Sequence, residues 1–529
     1  MVAAAGRWRR TAAQQATGRA CRYRYADVTL LAVAPALQGT LALAATVAAA
    51  AVLVLDDHRR RAPAMVAAIV LAGLALVSAI GDEARDAVDG RLALVAAAGA
   101  AAVGVLVLGA WLFRRAPSLL VLCAVAALPV RIPLTVGGET ANLLLPLYGV
   151  IACGVLARCV RVRRVQPEPR DPRVRTLERV LAGVMVLYAA QSIYSTDVEA
   201  AVKDITFFYV PFALLFRLLV DLPWGPRLVR RALILTAGLA LLCAVVGLAE
   251  YATRQLLLAN EKVLTANELK PYFRVNSLFF DPNIYGRFLA LAMVLVATVL
   301  LWTRARRTLW VCAAVLAVLW AGLVPSLSES SFAALALGLA VLAGLRWRAR
   351  PVLLTAGALA VAGVAVAIAV PSLVGLESRS FDALDKATSG RAELVRGGLR
   401  MARDRPVFGY GSGSFAERYR EREDRLSEQS PAESHTIPVT VAAEQGAVGL
   451  AAYLALVVVA LSLQLRGARA TLPRAAAAAT FAALVMHTLV YAAFLEDPIT
   501  WALLAAAAGL RREAPEPDPE PEPGVAVAA

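Results

Sequence analysis

Apolar runs of roughly twenty residues alternate with short polar segments along most of the chain. Runs of this length with few charges match the hydrocarbon thickness of a bilayer, so each predicts a membrane-spanning helix. These segments are 28–55, 63–80, 91–113, 118–136, 141–159, 177–194, 205–220, 232–252, 284–302, 309–325, 332–345, 352–370, 437–465, 475–495 and 499–510. The pattern predicts an all-α, polytopic membrane protein with about fourteen transmembrane helices.

One long polar interval, 377–449, interrupts this alternation and predicts a functional loop. The chain is therefore expected to divide into five parts. They are a basic cytoplasmic tail (1–26), transmembrane helices with an outer loop at 253–283 (27–371), a large extracytoplasmic loop with short amphipathic helices (372–436), C-terminal transmembrane helices (437–510) and a disordered tail rich in Pro and Glu (511–529).

Composition supports a membrane protein, because 59% of the residues are hydrophobic, 18% are charged and the mean hydropathy is +0.65. A net charge of +15 would suggest nucleic acid as a partner of a soluble chain. Here the basic residues cluster at the ends of apolar runs, as the positive-inside rule requires of cytoplasmic loops. This places the basic connectors inside and the connectors 253–283, 326–331 and 372–436 outside. A single first span would leave the basic N-terminus outside, so the helix count stays approximate.

Cysteines and acidic residues give no pattern of a disulfide framework or a metal site. Four cysteines, at 123, 153, 243 and 312, lie inside apolar runs, and none lies in the large polar loop. The acidic loop 82–89 lacks the spacing of a recognised cation site, and solvation is its preferred interpretation.

The outer loop 253–283 ends on a helix start. Asp281-Pro282-Asn283 is a turn and cap signal, with Asn283 the candidate N-cap. Arg287 lies one turn further in, where an arginine normally faces a protein or water-filled cavity and has an anionic partner. A helix start also favours phosphate. The alternative is that Arg287 snorkels to the outer headgroups.

The large loop contains a second cationic element. Residues 389–403 carry an apolar stripe at helical spacing opposite Arg396, Arg400 and Arg403, which predicts an amphipathic helix on the outer membrane surface. Arg391 stands at its start, where a cation opposes the helix dipole and needs another reason to be there. The glycine-rich stretch 404–415 follows and allows close approach of its backbone to another group.

His435 ends the large loop at the boundary between water and membrane. An imidazole with a pKa near 6.5 is suited to accept a proton from a hydroxyl group. A boundary histidine considered alone is more often structural. The other two histidines lie in a basic connector (His58) and within a span (His487), so His435 is the best-placed base of its kind.

Several of these segments, taken in order, resemble the O-antigen ligase and polymerase family. They are SGRAEL at 389–394, DRPVFGYGSGSF at 404–415, His435, EQG at 444–446 and Gly449, with Arg274 and Pro282-Asn283 upstream. The ordered set extends over about residues 270–465 and is more specific than any single piece. One departure is SESS at 328–331, where many members carry Ser-Arg.

The resemblance implies a GT-C-like fold and an inverting glycosyltransferase. Its donor would be a glycan on a polyprenyl diphosphate such as undecaprenyl diphosphate. Arg274, Arg287 and Arg391 would bind the diphosphate, His435 would deprotonate the acceptor, and Glu444 would assist orientation or donor contacts. A local capping or pairing role for Glu444 is equally consistent with the sequence. No metal or cofactor is implied, and no nucleic acid. The protein would lie in the cytoplasmic membrane with its site facing outside.

Three acceptors remain open: a different molecule for a ligase, a second repeat unit for a polymerase, and a protein hydroxyl for a protein-glycosylating relative. We favour the ligase, because the dominant outer loop adjoins the histidine. A transporter or flippase of lipid-linked glycans is the alternative from another class, although no internal repeat supports it. A receptor or assembly scaffold would not explain the ordered motifs.

Overall fold

A computed structural model describes residues 37–79, 92–136, 139–160, 171–258, 261–269, 272–347, 390–422, 434–491 and 493–511. The predicted tail 1–26, span 352–370, nearly all of the tail 511–529 and the acidic loop 82–89 lie outside the described residues. The same is true of residues 372–389 and 423–433 within the large loop. The described parts are helical apart from one two-stranded antiparallel hairpin.

The described part of the N-terminal half begins with α1 (Leu37–Val54). It continues with α2 (His58–Ala79), α3 (Leu92–Arg115), α4 (Ser118–Ala127), β1 (Ile132–Val136), β2 (Glu139–Leu143), α5 (Leu145–Cys159), α6 (Pro172–Ser192), α7 (Val198–Asp204), α8 (Val210–Val220) and α9 (Pro226–Thr253). A π-helical turn, Ile205–Tyr209, joins α7 to α8. In the hairpin, Ile132 pairs with Leu143 and Val136 with Glu139.

The C-terminal half comprises α10 (Glu261–Leu269), α11 (Pro282–Trp302), α12 (Arg306–Leu323), α13 (Glu329–Arg346), α14 (Arg391–Asp404), α15 (Phe415–Arg422), α16 (Ile437–Leu465), α17 (Leu472–Thr488) and α18 (Pro498–Gly509). Short 3₁₀ turns, Ser277–Phe279 and Val324–Ser326, precede α11 and α13. Helix α11 packs on α12, α13 and α17, α13 packs on α17, α16 packs on α6, and α18 packs on α8.

Seven of these helices are long and apolar enough to cross a membrane, and three shorter apolar helices accompany them in the described residues. The protein is thus a multi-pass, helical membrane protein, as its pattern predicts. Helix α11 is the most enclosed of the seven, with 72% of its apolar window buried. The count of about fourteen stays a prediction.

Three predicted spans end differently in the structure. Segment 475–495 forms α17, which ends at Thr488, so Tyr491 lies in the connection to α18. Segments 118–136 and 141–159 each predict one helix, whereas α4 stops at Ala127 and residues 132–136 and 139–143 pair as the strands of the hairpin. Pro129 and Pro133 explain the stop, because proline lacks the backbone donor and clashes with the preceding turn. Arg131 is consequently part of a loop rather than of a span.

Three helices begin with the same signal, an aspartate followed by proline. Asp171, Asp281 and Asp497 each accept backbone N–H bonds from the first turn of α6, α11 and α18. The N-cap of α11 is therefore Asp281, and the expectation that Asn283 caps this helix is wrong. Asp281 accepts from the amides of Asn283 at 2.6 Å and Ile284 at 3.2 Å.

Candidate active site

His435 stands in a strained turn immediately before α16. Its φ is +58°, a left-handed conformation that is costly for a residue other than glycine and is concentrated at functional sites. Ser434 and Thr440 hold the turn, with 2.8 Å between their hydroxyl oxygens. The amide of Thr436 donates to the Ser434 hydroxyl at 3.3 Å. These contacts fix the backbone that carries the imidazole.

The surroundings of His435 favour a neutral imidazole. Burial lowers its pKa below 6.5 and the guanidinium of Arg391 lowers it further, while Asp281 opposes both. Its Nδ1 is buried and has no hydrogen-bond partner among the described residues. A neutral ring with an unsatisfied buried nitrogen is suited to accept a proton from a bound hydroxyl.

The imidazole lines a cavity of about 690 Å³. One wall is the side of α14 that bears Arg391, Arg400 and Arg403, interleaved with the apolar side chains of Val395 and Leu399. Other wall residues are Glu329, Ala392, Arg396, Thr436, Leu489 and Val490. The cavity thus offers both guanidinium groups and apolar surface. Helix α14 itself packs on α15 and α16 through Leu394, Gly397, Gly398 and Met401, and its predicted place on the membrane surface stays a prediction.

Arg274 and Arg391 approach the site from two different loops. Arg391 lies 3.7 Å from the Glu329 carboxylate, which is 81% exposed. Arg274 donates from Nε to the Ser326 carbonyl at 3.0 Å and from Nη2 to the Asn283 side chain at 3.3 Å. Burial lowers the pKa of Arg274, with Asp281 opposing and Arg391 adding to the shift. The two guanidinium groups are therefore close enough to act on each other.

Arg287 lies deeper than these two. It is 1% exposed, with Nη2 at 2.9 Å from the Asp497 carboxylate and Nη1 at 3.4 Å from the Ala493 carbonyl. This burial contradicts the alternative that Arg287 snorkels to the headgroups, and it confirms the expectation of a protein environment with an anionic partner.

Asp281, Tyr491 and His487 lie between these cations, and none of them is predicted as a site residue from the sequence. The Tyr491 hydroxyl donates to Asp281 Oδ2 at 3.0 Å, and its ring lies 6.2 Å from that of His435 and 5.4 Å from that of His487. His487 Nε2 lies 3.1 Å from the Ser330 hydroxyl, within a buried serine cluster at 326–331. Asp281 had a sequence signal only as a helix start, and Tyr491 had none.

Glu444 lies apart from the His435 cavity. Its carboxylate accepts the amides of Gly413 and Phe415, each at 3.0 Å, and so holds the glycine-rich segment 404–415 against α16. It lines a second cavity of about 180 Å³ with Asp204 and Glu496. The structure therefore brings Arg274, Arg391 and His435 together, with Arg287 behind them, and leaves Glu444 elsewhere.

The glycine-rich segment docks by its backbone into a break in α16. Gly446 has φ +65° and ψ −162°, values that interrupt the helix. The freed carbonyls of Ala443 and Glu444 accept the amides of Tyr410 and Gly411 at 3.3 and 2.8 Å. In return, the amides of Ala447 and Val448 donate to the carbonyls of residues 406 and 407. The group that the glycine-rich segment approaches closely is therefore the backbone of α16 at its break.

The second cavity contains carboxylates that are already engaged. The Tyr188 hydroxyl donates to Asp204 at 2.7 Å, and the Tyr209 hydroxyl donates to Glu496 at 3.0 Å. Burial, reinforced by Glu496, raises the pKa of Asp204 to about 7. No group of three or more His, Cys, Asp or Glu in the described ranges has the arrangement of a metal site.

A comparison with known protein families matches part of the chain. Residues 315–454 match the family described as O-antigen ligase, which confirms the resemblance. Arg391, His435 and Glu444 lie inside the matched segment, whereas Arg274 and Arg287 lie before it. No curated protein matches the chain.

Proposed function

Because residues 315–454 match the O-antigen ligase family, we propose that this protein is a membrane glycosyltransferase of the ligase type. It would transfer a glycan from a polyprenyl-diphosphate lipid to an acceptor hydroxyl on the outer face of the cytoplasmic membrane. The observation that carries the proposal is the cavity in which His435 faces a guanidinium-bearing helix with apolar side chains between the arginines.

His435 acts as the general base. Its neutral imidazole accepts the proton of the acceptor hydroxyl as the oxygen attacks the anomeric carbon of the donor glycan. The bond between that carbon and the diphosphate oxygen breaks, and the polyprenyl diphosphate leaves with the bonding electron pair. Attack from the face opposite the leaving group inverts the anomeric configuration.

The arginines stabilise the leaving diphosphate. Guanidinium groups bind phosphate oxygens in paired, charge-assisted hydrogen bonds, and their effect is largest where water is excluded. Arg391 lies on the cavity wall with His435 and acts directly on its pKa, so it contacts the phosphates next to the reacting carbon. Arg274 approaches from the outer loop, and Arg287, already paired with Asp497, adds to the positive potential from below.

Apolar wall residues suit the lipid part of the donor. Val395, Leu399, Leu489 and Val490 line the same cavity as the arginines. A polyprenyl diphosphate combines a charged head with an apolar chain, so a mixed wall accommodates both without leaving a charge against hydrocarbon.

The identity of the acceptor distinguishes ligase, polymerase and protein-glycosylating activities, because the site chemistry is common to all three. The ligase stays our first choice, and the polymerase and the protein-glycosylating enzyme are the alternatives within the family. A flippase of lipid-linked glycans is the alternative outside it.

The test is transfer by purified protein in nanodiscs from a polyprenyl-diphosphate glycan to a panel of lipid, glycan and peptide acceptors, with and without EDTA. We expect a new glycosidic bond of inverted configuration and release of polyprenyl diphosphate, unchanged by the chelator. Glycan movement across vesicles without bond formation would instead support the flippase.

A further inference from the structure

Glu329 is the exposed member of a segment that is otherwise buried. The segment SESS, which opens α13, has three serines, and all three are fully buried. The hydroxyl oxygens of Ser328 and Ser331 lie 2.8 Å apart, and that of Ser330 lies 3.1 Å from His487 Nε2. These contacts fix the backbone on both sides of Glu329, whereas its own side chain is 81% exposed. The carboxylate is therefore held at a fixed point of the backbone on a side chain that little packing restrains.

The Glu329 carboxylate lies among the guanidinium groups that are proposed to bind the donor. It is 3.7 Å from Arg391 Nη1, and it lines the same cavity as Arg391 and His435. Burial lowers the pKa of Arg274, and the carboxylates of Asp281 and Glu329 oppose this shift. Among the described residues that line the His435 cavity, Glu329 is the one carboxylate. The place where a diphosphate would meet Arg391 is thus occupied by an anion of the protein itself.

A structural role alone does not account for this carboxylate. An acidic side chain in the first turn of a helix stabilises the helix dipole, but that role needs no guanidinium partner. An ion pair that joins α13 to α14 contributes little to stability, because the side chain of Glu329 is 81% exposed and that of Arg391 is 28% exposed. The pair is therefore weak enough to be broken by a ligand.

A diphosphate can bind Arg391 only by displacing the Glu329 carboxylate. A carboxylate and a phosphate beside one guanidinium repel each other, so both cannot stay there without cost. An exposed carboxylate can turn into solvent, where it is screened. The diphosphate has more acceptor oxygens than one carboxylate and can form paired, charge-assisted bonds to the guanidinium.

We propose that Glu329 is a displaceable internal anion of the donor site, which pairs with Arg391 when the site is empty and is replaced there by the diphosphate of the donor. It returns to Arg391 when the polyprenyl diphosphate product leaves, and it thereby favours product release. The inference rests on the proposed function. Glu329 is a positioning residue in this account, because it acts through Arg391 and not on the reacting atoms.

The test measures binding of farnesyl diphosphate to the full-length protein in nanodiscs by calorimetry, in a cycle of single and double variants. Glu329→Gln removes the charge and keeps the shape, so the ligand no longer has an ion pair to break. We expect this variant to bind the probe about 2- to 5-fold more tightly than wild type, as the strength of an exposed ion pair allows. In an Arg391→Gln background the same change should leave the affinity unaltered, because the partner of Glu329 is absent.

Glu421→Gln is the matched control, because Glu421 also forms an exposed ion pair, with Arg418 at 2.6 Å, and neither residue lines the His435 cavity. It should bind the probe as wild type does. Wild-type affinity in Glu329→Gln, with Arg391→Gln weakened, would overturn the inference and leave the proposed function intact. A gain in both backgrounds would show that Glu329 repels the ligand directly and would overturn its action through Arg391. A wild type that does not bind the probe would overturn both the inference and the proposed donor site.

Discussion

At the residue scale, three local features distinguish His435 from an ordinary surface histidine. The residue has a left-handed backbone, its Nδ1 is buried without a partner among the described residues, and burial and the nearby Arg391 both lower the pKa of the ring. The strained backbone and the unpaired Nδ1 each lower the free energy of unfolding, because strain and unpaired polar atoms destabilise the folded state. Such costs persist where a ligand or a reaction uses them.

Replacing Arg391 changes the pH dependence of transfer. Loss of the guanidinium raises the pKa of His435, and the imidazole must be unprotonated to act as a base. We therefore expect Arg391→Gln to move the acidic limb of kcat upward by about 0.5–1 pH unit at saturating donor. Measured from about pH 5 to 8, an unmoved limb would contradict this electrostatic link. The exposed Arg420→Gln serves as control.

Glu444→Gln separates structure from substrate contact. The amide has one acceptor oxygen where the carboxylate has two, so one of the two amides at Gly413 and Phe415 loses its bond. We expect the free energy of unfolding to fall by about 1–3 kcal/mol, with transfer retained at low temperature. Loss of transfer at wild-type stability would show instead that Glu444 contacts the donor.

His435 and Arg391 could be predicted from the sequence as site residues because both are charged or titratable side chains in a polar loop. A place in the site for Asp281, Tyr491 or Asp497 could not be predicted, because it depends on contacts between residues about 200 positions apart. Arg287 was assigned, but its carboxylate partner was not.

At the scale of elements, the broken helix α16 begins just after His435 and, at its break, binds the backbone of the glycine-rich segment 404–415. The segment 437–465 predicts one continuous span, and the break at Gly446 has no signal beyond the glycine itself. The start of α11 at Asp281-Pro282-Asn283 could be predicted because capping is local, although the cap is Asp281 and not the predicted Asn283. The hairpin formed by 132–136 and 139–143 could not, because it depends on two prolines within an apolar run.

Alanine at Gly409 or Gly446 should undock the glycine-rich segment. A Cβ at Gly409 would lie 2.2 Å from the Glu444 carbonyl oxygen, and one at Gly446 would lie 2.3 Å from the Val407 carbonyl oxygen. Backbone strain alone costs about 1–3 kcal/mol. We expect each variant to lower the thermal midpoint and to expose the segment to protease.

Gly183→Ala in α6 is the control for these variants, because nothing lies within 4 Å of its added Cβ. Midpoints of Gly409→Ala and Gly446→Ala equal to that of the control would contradict the docking.

At the scale of the whole molecule, the buried ionic groups form two clusters, one around Asp221 and one around His435. Arg217 is buried with Glu178 at 2.7 Å, and Asp221 also binds Arg61 at 3.3 Å and Arg158 at 3.7 Å. Asp221 lies 17 positions after Asp204, which is near the second cavity, and the helical segment between them spans about 25 Å. The cluster around Asp221 joins loops that the charge pattern predicts to be cytoplasmic. The loops around His435 are predicted to be outside.

Labelling of single cysteines tests that sidedness. With a membrane-impermeant maleimide on intact cells, we expect Arg420→Cys near the site to react and Arg304→Cys in a basic connector to react only after permeabilisation. Both positions are exposed, so only the membrane decides whether the maleimide reaches them. The wild-type protein gives the background labelling of its native cysteines. The opposite pattern would place His435 on the inner face and exclude an outer acceptor.

The membrane character could be predicted because it is repeated in nearly every segment of the chain. The arrangement of the site could not, since His435, Tyr491 and Asp281 meet through tertiary packing that periodicity does not encode.

The most direct test of the central claim is a single turnover of donor already bound to the purified protein, comparing wild type with His435→Gln. If His435 is the general base, the variant binds farnesyl diphosphate as wild type does and forms the glycosidic bond about 10²–10⁴-fold more slowly. Bond formation at the wild-type rate by a variant with intact binding would contradict the mechanism and leave His435 a structural residue.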